Sequence, residues 1–579
     1  MSTVTAEPEV SPREKWLALG ALVTSCLAVL LVLLDNTVVV VALPTLANEL
    51  DAGFSALQWV VDSYTLPFAG LLLMFGHLGD RYGRRRVMIA GLVGIAVMSV
   101  VGAVAESVTQ VLVARAGMGI AAAAVFPATL AIITTVFRKP RARALGIAAW
   151  TAMAGFAVAI GPTIGGWLLN HFTWHSIFWM NLPVAAVAVA LTLVFIGESR
   201  SEKHGPIDAV GIALSIAAIF LLVWSFIEAP RHGWISAATF GGVAGALALL
   251  ALFAWWELRA PYPVLDVRLF RIPRFAFPAM ALAVSYFAMF GFLFIVSQYF
   301  QAVLLMDPLT FGIHSLPFAA AIGIGAPVAT WFGYRYGHTV VVVVGMAVLA
   351  AGLYWAGQAT IDTTYWEIPF GSMILMGGGL GIVTGPVTDS IMSSVPADEA
   401  GAGSAVNDTT REVGGALGIA VLGSVLFGRY HEIVSEKLDS YGPIVSTFLS
   451  DRERDLIVNS PVSVLEILGR PGLPASVNDL DDPNSLVYAM QDAAMQGWKI
   501  SAMVMVVSVV VTAIVFAIFM PWSRGTSLVD AATEDSSAPD ASPTSGASAD
   551  EATPGSDEVP PGQSDDGAVV ETPEDRVPR

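Results

Sequence analysis

Fourteen apolar runs, each about 20 residues or longer, punctuate residues 16–521. A run of that length is what an α-helix needs to cross a hydrocarbon core of ~30 Å. Inside lipid every backbone N–H and C=O must be satisfied within the segment, which restricts such runs to helices. Composition agrees: 55% of the 579 residues are hydrophobic and 13% are charged, against ~25% charged in soluble chains. The chain therefore reads as an all-α integral membrane protein. Its expected spans are 16–42, 56–76, 86–105, 109–135, 142–169, 175–197, 208–229, 234–256, 274–302, 309–333, 339–358, 367–392, 400–428 and 497–521. The first run is long enough to span, and no small-residue cleavage site follows it, so it reads as a span and not as a leader. Cys26 is the single cysteine, which excludes an intrachain disulfide.

Basic residues orient the spans. Arg13, Lys15, Arg81, Arg84, Arg85, Arg86, Arg138, Lys139, Arg141, Arg143, Arg200, Lys203, Arg259, Arg268, Arg271, Arg274 and Arg335 all fall on one side. The short loops of the other side carry only Arg231. Both termini are expected in the cytoplasm of a cell-membrane protein. The net charge of −18 is concentrated at the end of the chain, where residues 524–579 hold thirteen acids against three arginines. Rich in Pro, Ser, Ala and Gly, that tail is expected to stay disordered.

One internal repeat is visible. GDRYGRRRVMIAG (79–91) returns as GYRYGHTVVVVVG (333–345). Both copies follow a span that runs toward the basic side. Parallel repeats of this kind mark transporters built from two halves. Matching spans 2–3 to spans 10–11 leaves spans 7–8 as an insertion. The expected organisation is a cytoplasmic N-terminus (1–15), a first six-helix bundle (16–200), an inserted helix pair (201–258), and a second six-helix bundle (259–522). That bundle carries an external helical excursion at 429–496, and the acidic tail (523–579) follows it.

Charges inside spans are expensive, about 2.5–3.5 kcal/mol each on insertion scales, and they usually pair or line a wet cavity. Asp35 (span 1), Asp62 (span 2) and Arg115 (span 4) all lie about 10 Å below the outer surface at 1.5 Å per residue. Arg115 is the only basic residue well inside the first six spans, so it is the expected partner of Asp35. An opposing charge favours the ionised carboxylate while burial disfavours it. A group under both pressures can carry a coupling proton, and a fixed structural ion pair is the competing reading. Asp62 sits in QWVVDSYTL beside Trp59 and Tyr64, a setting that suits an organic cation or, alternatively, a wetted outer mouth. In span 13, Asp408 and Glu412 share a helix face, and Arg411 can neutralise Asp408. Tyr286, Phe290, Phe294, Gln298 and Tyr299 in span 9 could line a cavity or face lipid. The expected substrate contacts are Asp62, Tyr64, Tyr299, Asp408 and Glu412.

Gly76, Asp80, Arg81, Gly83, Arg84 and Arg85 form a hinge between spans 2 and 3. Gly76 and Gly83 would permit close approach and a tight turn. Asp80 would face the inner end of span 13, where a helix N-terminus favours an anion, and would latch the two halves. Gly155, Gly161, Pro162, Gly165 and Gly166 strip bulk from span 5 and suggest a bendable seal. His171 and His175 lack acidic or cysteine partners, so no metal site is expected. No phosphate-binding loop is present, and no cofactor is expected.

Together these segments resemble the major facilitator superfamily, in its fourteen-span drug:proton antiporter branch (QacA/EmrB-like). LDNTVVVVALP resembles the span-1 signature of the branch. GHLGDRYGRRR (76–86) is similar to the superfamily's loop 2–3 motif. RAGMGIAAA from Arg115 resembles the span-4 motif, with Met118 where Gln is frequent. GFAVAIGPTIGGW (155–167) is similar to the antiporter motif of span 5, and AGSAVNDTTREVGGALGIAVLGS (402–424) resembles span 13 of the branch. The resemblance implies a major facilitator fold of two six-helix bundles plus an inserted pair, 14 transmembrane helices in all. It implies export of amphipathic, often cationic drugs or toxic metabolites in exchange for protons. Family members carry acids at positions matching Asp408 and Glu412 and use them for cationic substrates or protons, though Asn407 stands where some relatives have an acid. The expected partners are a small-molecule substrate, protons and the lipid bilayer, with no nucleic acid, and the protein is expected to be a monomer and no enzyme. Two alternatives stay open: uptake of a small solute by symport, and a non-transporting membrane sensor or scaffold.

Overall fold

The computed structural model describes residues 12–520, apart from 138–139, 201–207, 264, 395–399, 442–447, 460–462, 469, 471–472, 480–481 and 483–484. The acidic tail and the first eleven residues lie outside the described residues, as do Arg138, Lys139 and Lys203. Every regular element among the described residues is helical.

The first half of the bundle consists of α1 (Pro12–Glu49), α2 (Phe54–Tyr82), α3 (Arg84–Ala103), α4 (Val108–Val136), α5 (Pro140–His171), α6 (Ser176–Trp179) and α7 (Asn181–Phe195). The inserted segment is α8 (Ala209–Ile227), α9 (Ala229–His232) and α10 (Ala237–Glu257). The second half holds α11 (Pro273–Gln298), a π-helical turn (Tyr299–Val303), α12 (Pro308–His314), α13 (Leu316–Tyr336), α14 (His338–Ala356), α15 (Pro369–Ser393) and α16 (Ala400–Ser440). Three short helices follow: α17 (Asp451–Asn459), α18 (Ser463–Leu468) and α19 (Ala475–Asn478). The described chain closes with α20 (Leu486–Phe519).

Among the described residues, twelve helices are long and apolar enough to cross a membrane, or thirteen with α2, which bends by 53° between Leu72 and Met74. Fourteen were expected. The remaining expected span, 142–169, falls in α5, a helix of 32 residues several of whose side chains lie outside the described set. Side chains that are apolar all round explain why these helices need no amphipathic stripe: lipid or protein meets every face. Polar caps mark where they leave the apolar layer. Ser107, Asp208, Ser236, Asp307 and Ser485 each accept a backbone N–H in the first turn of α4, α8, α10, α12 and α20, satisfying donors that a helix start leaves orphaned.

Two expected boundaries move. α16 continues to Ser440, 41 residues in all, or about 60 Å at 1.5 Å per residue, twice the hydrocarbon thickness. α20 likewise begins at Leu486, not near 497. The excursion is therefore framed by extensions of its two flanking spans. Tyr430 donates to the carbonyl of Ile457 (2.6 Å) inside it, and Arg452 reaches back to pair with Asp51 in the α1–α2 turn.

Helices pack mainly within their own half, α2 on α4, α3 on α4 and α1 on α5 in the first, α13 on α15, α14 on α15 and α11 on α16 in the second. Between the halves, α2 packs on α16 and α5 on α12 and α13. α8 lies along the α2–α16 seam. Its Ile219, Val223 and Ile227 meet Trp59 and Leu66 of α2 together with Ala416, Leu417 and Ala420 of α16.

Candidate functional site

Asp35 answers the question its sequence context raises. It is 4% exposed, and both of its oxygens are engaged. Arg115 Nη1 donates to Oδ2 at 2.6 Å, and Asn181 Nδ2 donates to Oδ1 at 2.7 Å. Arg115, itself fully buried, spends its remaining donors on the Val60 carbonyl (3.1 Å) and on Asn36 Oδ1 (3.5 Å). Its guanidinium lies 4.3 Å above the Tyr64 ring, and Tyr64 in turn donates to the Val32 carbonyl at 2.9 Å. Asn181 also donates to Ser99 Oγ at 3.2 Å. Five helices, α1, α2, α3, α4 and α7, thus meet at one ion pair. Removing either charge from so buried a pair strands the other, a cost of roughly 3–5 kcal/mol.

Tyr64 therefore belongs to the Asp35–Arg115 cluster and not beside Asp62. Two residues apart on a helix means about 200° of rotation. Asp62 points instead with Gln58 and Leu66, one turn either side. Gln58 donates to the carbonyls of Ile419 (2.9 Å) and Ala420 (3.0 Å) and to Ser424 Oγ (3.3 Å), and Leu66 packs on Ala416 and Ala420. Asp62 thus occupies the face of α2 turned to α16. It is fully buried, and neither oxygen has a hydrogen-bond partner. In this conformation Asp62 is not at a wetted outer mouth.

On α16, Glu412 is buried with Oε2 unpartnered. Asp408 accepts from Asn407 Nδ2 at 3.2 Å. Arg411 donates to Thr388 Oγ1 at 3.0 Å and lies 5.3 Å from the Tyr286 ring centroid, while its charge still acts on Asp408 and Glu412. Among the described residues it forms no ion pair with Asp408.

A cavity of about 490 Å³ separates the halves. Asn36, Thr37, Val40 and Val41 of α1 and Val158 and Pro162 of α5 form one wall; Phe290 and Leu293 of α11, with Phe311, Ser315, Phe318 and Ala319, form the other. Phe290 is the span-9 aromatic that reaches it. Phe294 packs edge-on against Phe54. Tyr299 sits wholly inside the second half, stacked on Trp498 at 5.1 Å with its hydroxyl toward the Thr360 carbonyl (3.4 Å). Tyr299 lines a separate pocket within the second half, with Phe292, Met373 and Trp498, and not the cavity between the halves.

The cavity is roofed at the end that carries the excursion. Ser297 Oγ donates to the Val40 carbonyl (2.7 Å) and Gln301 Nε2 to that of Val41 (3.1 Å). Thr163 Oγ1 donates to the Gly312 carbonyl (3.1 Å), and Asn170 Nδ2 to Asp307 Oδ1 (2.7 Å). Here the small residues of α5 matter individually. A Cβ on Gly161 would strike Thr37, one on Gly165 would press Val38 at 3.1 Å, and one on Gly166 would strike the Pro308 backbone. Pro162 offers its own carbonyl side to Gly312. Gly155 differs: nothing lies within 4 Å of its missing Cβ, so it takes no part in this contact.

At the opposite end, Arg84 donates to Asp80 through Nε (2.9 Å) and Nη2 (2.7 Å), and also bonds Thr135. Arg85 reaches the Leu193 carbonyl (2.8 Å). Glu198, unremarked in the sequence, accepts from the Arg85 backbone N–H (3.3 Å) and pairs with Arg86 (3.4 Å). Gly83 adopts φ 111°, a region that favours glycine, and an added Cβ would strike Glu198. Arg81 is exposed. Gly76 is not needed for close approach, since the nearest atom to its missing Cβ is 3.9 Å away. The start of span 13, expected to receive Asp80, lies partly outside the described residues; within them Asp80 is held by Arg84.

The profile of the Major Facilitator Superfamily matches residues 25–419, a stretch that runs through both halves and the inserted pair. The chain belongs to the major facilitator superfamily. Superfamily relatives include the multidrug efflux pump LfrA of Mycolicibacterium smegmatis, 34% identical over 424 residues that cover 73% of this chain and 83% of the relative. The tetracenomycin C resistance and export protein of Streptomyces glaucescens is 33% identical over 72% of this chain and 77% of its own. The methyl viologen resistance protein SmvA of Salmonella typhimurium is 33% identical over 71% and 82%. Among solved structures, a bacterial homologue of the human lysosomal transporter Spinster, in an inward-facing and unoccupied conformation, aligns with a TM-score of 0.57 at 15% identity, covering 88% of this chain and 98% of that one. The peptide transporter POT, solved as a point mutant, aligns with a TM-score of 0.55 at 13% identity over 88% and 100%. The fold is that of a membrane transporter, and the protein is a multi-pass transporter of this superfamily, not an enzyme.

Proposed function

We propose that this chain is a proton-coupled antiporter of the fourteen-span branch that exports amphipathic compounds by alternating access, with both termini in the cytoplasm. The observation that carries the reading is Asn36. Its side chain lines the cavity and accepts from Arg115, which holds Asp35. One amide thus joins the place where a compound would sit to the buried pair where a proton would be held. Relatives that are a multidrug efflux pump and a methyl viologen resistance protein support the substrate class.

In the proposed cycle the roofed end is external, so the conformation described is open toward the cytoplasm. A compound enters the cavity and packs on Phe290, Phe311 and Phe318. Contact with Asn36 competes with its bond to Arg115, and the halves rock. Opening of the roof wets Asp35, which takes a proton from outside; the compound leaves, and return to the inward state delivers the proton to the cytoplasm. Arg115 keeps Asp35 ionisable in a setting where an isolated carboxylate would stay protonated. Among the described residues no carboxylate lines the cavity itself, so apolar and aromatic surface selects the compound there. Asp62 and Glu412 lie on the α2–α16 seam, where a cationic group would find the unpaired charge it needs. Asp80 and Arg84 serve as the switch that latches the cytoplasmic side when the roof opens. The carrier works as a monomer, since both halves are in one chain.

Everted membrane vesicles carrying a pH-sensitive dye test this reading. Addition of an exported compound should release an imposed proton gradient in the wild type and not in Asp35→Asn. A variant that dissipates the gradient at the wild-type rate overturns it.

A further inference from the structure

Asn181 stands at the N-terminus of α7, fully buried. Both of its amide hydrogens are engaged, one by Asp35 Oδ1 at 2.7 Å and the other by Ser99 Oγ at 3.2 Å. Its own carbonyl oxygen has no partner. A buried amide with one satisfied end and one orphaned end is costly unless the orphan is used in another state.

We propose that Asn181 is a two-position amide that matches the protonation state of Asp35, a positioning residue for the proton carrier. This rests on the proton-carrier reading given above. With Asp35 ionised, the amide presents N–H to a carboxylate that can only accept. With Asp35 protonated, Oδ1 carries O–H and becomes a donor, and the N–H of Asn181 would face it hydrogen to hydrogen. A half-turn of the amide removes the clash. The Asn181 carbonyl oxygen then accepts from Asp35 O–H with one lone pair and from Ser99 O–H with the other. Ser99 is free to make that change, because its hydroxyl currently points to Met118 Sδ at 3.9 Å, a weak acceptor. The proton stays on Asp35 throughout, and no bond is broken except hydrogen bonds.

The surroundings leave few other groups to do this. Arg115 from α4 and Tyr64 from α2 are the titratable side chains in contact with the pair. α3 and α7 present Ser99 and Asn181, which do not titrate. α5 and α11 also pack on α1, but their basic residues, Arg141, Arg143, His171 and Arg274, lie at the helix ends. Asp62 of α2 bonds to none of them. Arg115 keeps its charge and can only donate. Asn36 is also an amide, but it bonds Arg115; Asn181 is the one bonded to Asp35 whose hydrogen-bonding sense can reverse.

The test is an infrared titration of the purified full-length carrier in liposomes, following the carboxylic C=O band that Asp35→Asn removes. The direct readout is the side-chain amide C=O of Asn181 itself, marked by asparagine labelled at that carbon and identified by its loss in Asn181→Gln or Asn181→Leu. That carbonyl accepts only when Asp35 is protonated, so its band should move to lower frequency with the same pH midpoint at which the Asp35 band appears. In Asp35→Asn the amide band should no longer respond to pH. An amide band that does not move while the Asp35 band titrates overturns the role of Asn181 while leaving Asp35 as carrier. Absence of any Asp35-dependent band in the wild type overturns both readings.

Discussion

Asn170, at the end of α5, donates a 2.7 Å hydrogen bond to Asp307, the cap of α12, and so ties the two halves across the roof of the cavity. Asp307 also accepts from Thr310 through its hydroxyl and backbone N–H and from the Leu309 N–H. Lying outside the apolar layer, its carboxyl is held down to about 2, first by the Thr310 hydroxyl and then by Asn170 and the two backbone donors, with partial burial opposing them. A carboxyl held below its ordinary value stabilises the contact fully above the ordinary value, near 4. That stabilisation is lost only as pH falls through about 2.

The roof should therefore stay shut across neutral and mildly acid pH, and open when its cap is removed. A Thr37→Cys reporter in the cavity, read with an impermeant thiol reagent from outside, should label several-fold faster in Asp307→Ala or Asn170→Ala. The cap itself contributes about 1 kcal/mol. Labelling of the reporter in the unaltered roof, taken relative to a freely exposed cysteine at the same pH because the thiolate is the reacting form, should not change between neutral pH and about pH 5. The buried Cys26, the only native cysteine, gives a low background.

Within α5, glycines that look alike should behave differently. Gly166→Ala puts a Cβ into the Pro308 backbone and should hold the roof ajar, cutting export by about tenfold if misfit of the closed state reaches about 1.4 kcal/mol. Gly155→Ala meets open space and should export at the wild-type rate. Drug-efflux rates for the pair, at matched expression, decide it.

Neutralising the buried pair should separate folding from transport. Arg115→Ala leaves Asp35 buried and unpaired and should destabilise the protein by roughly 3–5 kcal/mol. The double variant Asp35→Asn/Arg115→Gln should recover much of the thermal midpoint without recovering gradient-driven export. Scanning fluorimetry beside a vesicle assay reads both.

Asp62→Asn should raise the thermal midpoint, because a buried carboxylate without a hydrogen-bond partner is a cost that an amide reduces. The same variant should export a cationic dye less well than a matched neutral dye. Glu412→Gln should show the same selectivity more weakly, and Asp408→Asn least, as Asn407 already occupies one of its oxygens. Equal losses for both dyes would place these acids in the coupling machinery.

The sequence repeat proved longer in the structure than in the letters. Gly83 and Gly337 both end a helix at positive φ, 111° and 89°, each donating to a glycine carbonyl four residues back. Gly53 and Asp307 cap α2 and α12, and Asp51 and Leu305, two residues before them, share a left-handed backbone (φ 49° and 55°). All three pairs are 254 residues apart (337 − 83, 307 − 53, 305 − 51). At the same offset, the Arg84–Thr135 contact returns as His338–Asp389 at 3.6 Å. Only the glycines were legible, because turns demand a residue type, whereas the other positions repeat a backbone path that many side chains permit.

The Asp35–Arg115 pair was legible for a physical reason: charges in apolar runs are few, and depth along each span can be counted. Asn181 was missed because an uncharged amide raises no comparable alarm in a hydrophobic run. Tyr64 joins Arg115 and not Asp62 because residues two apart in sequence point to different faces of a helix. Glu198 was passed over because its importance depends on the α3 turn folding back onto it, which spacing alone does not reveal.

The contact of α8 with the two halves is unequal. On the α2 side Ser55 donates to Glu228, just beyond the end of α8, at 3.2 Å. Toward α16, α8 offers the apolar contact of Ile219, Val223 and Ile227 with Ala416, Leu417 and Ala420, and no side-chain hydrogen bond joins α8 to α16 among the described residues. Apolar surfaces of this kind resist separation but have no directional bonds to break when they slide. In the proposed rocking cycle the inserted helix would therefore act as a bearing: it would travel with the first half and let the second glide past.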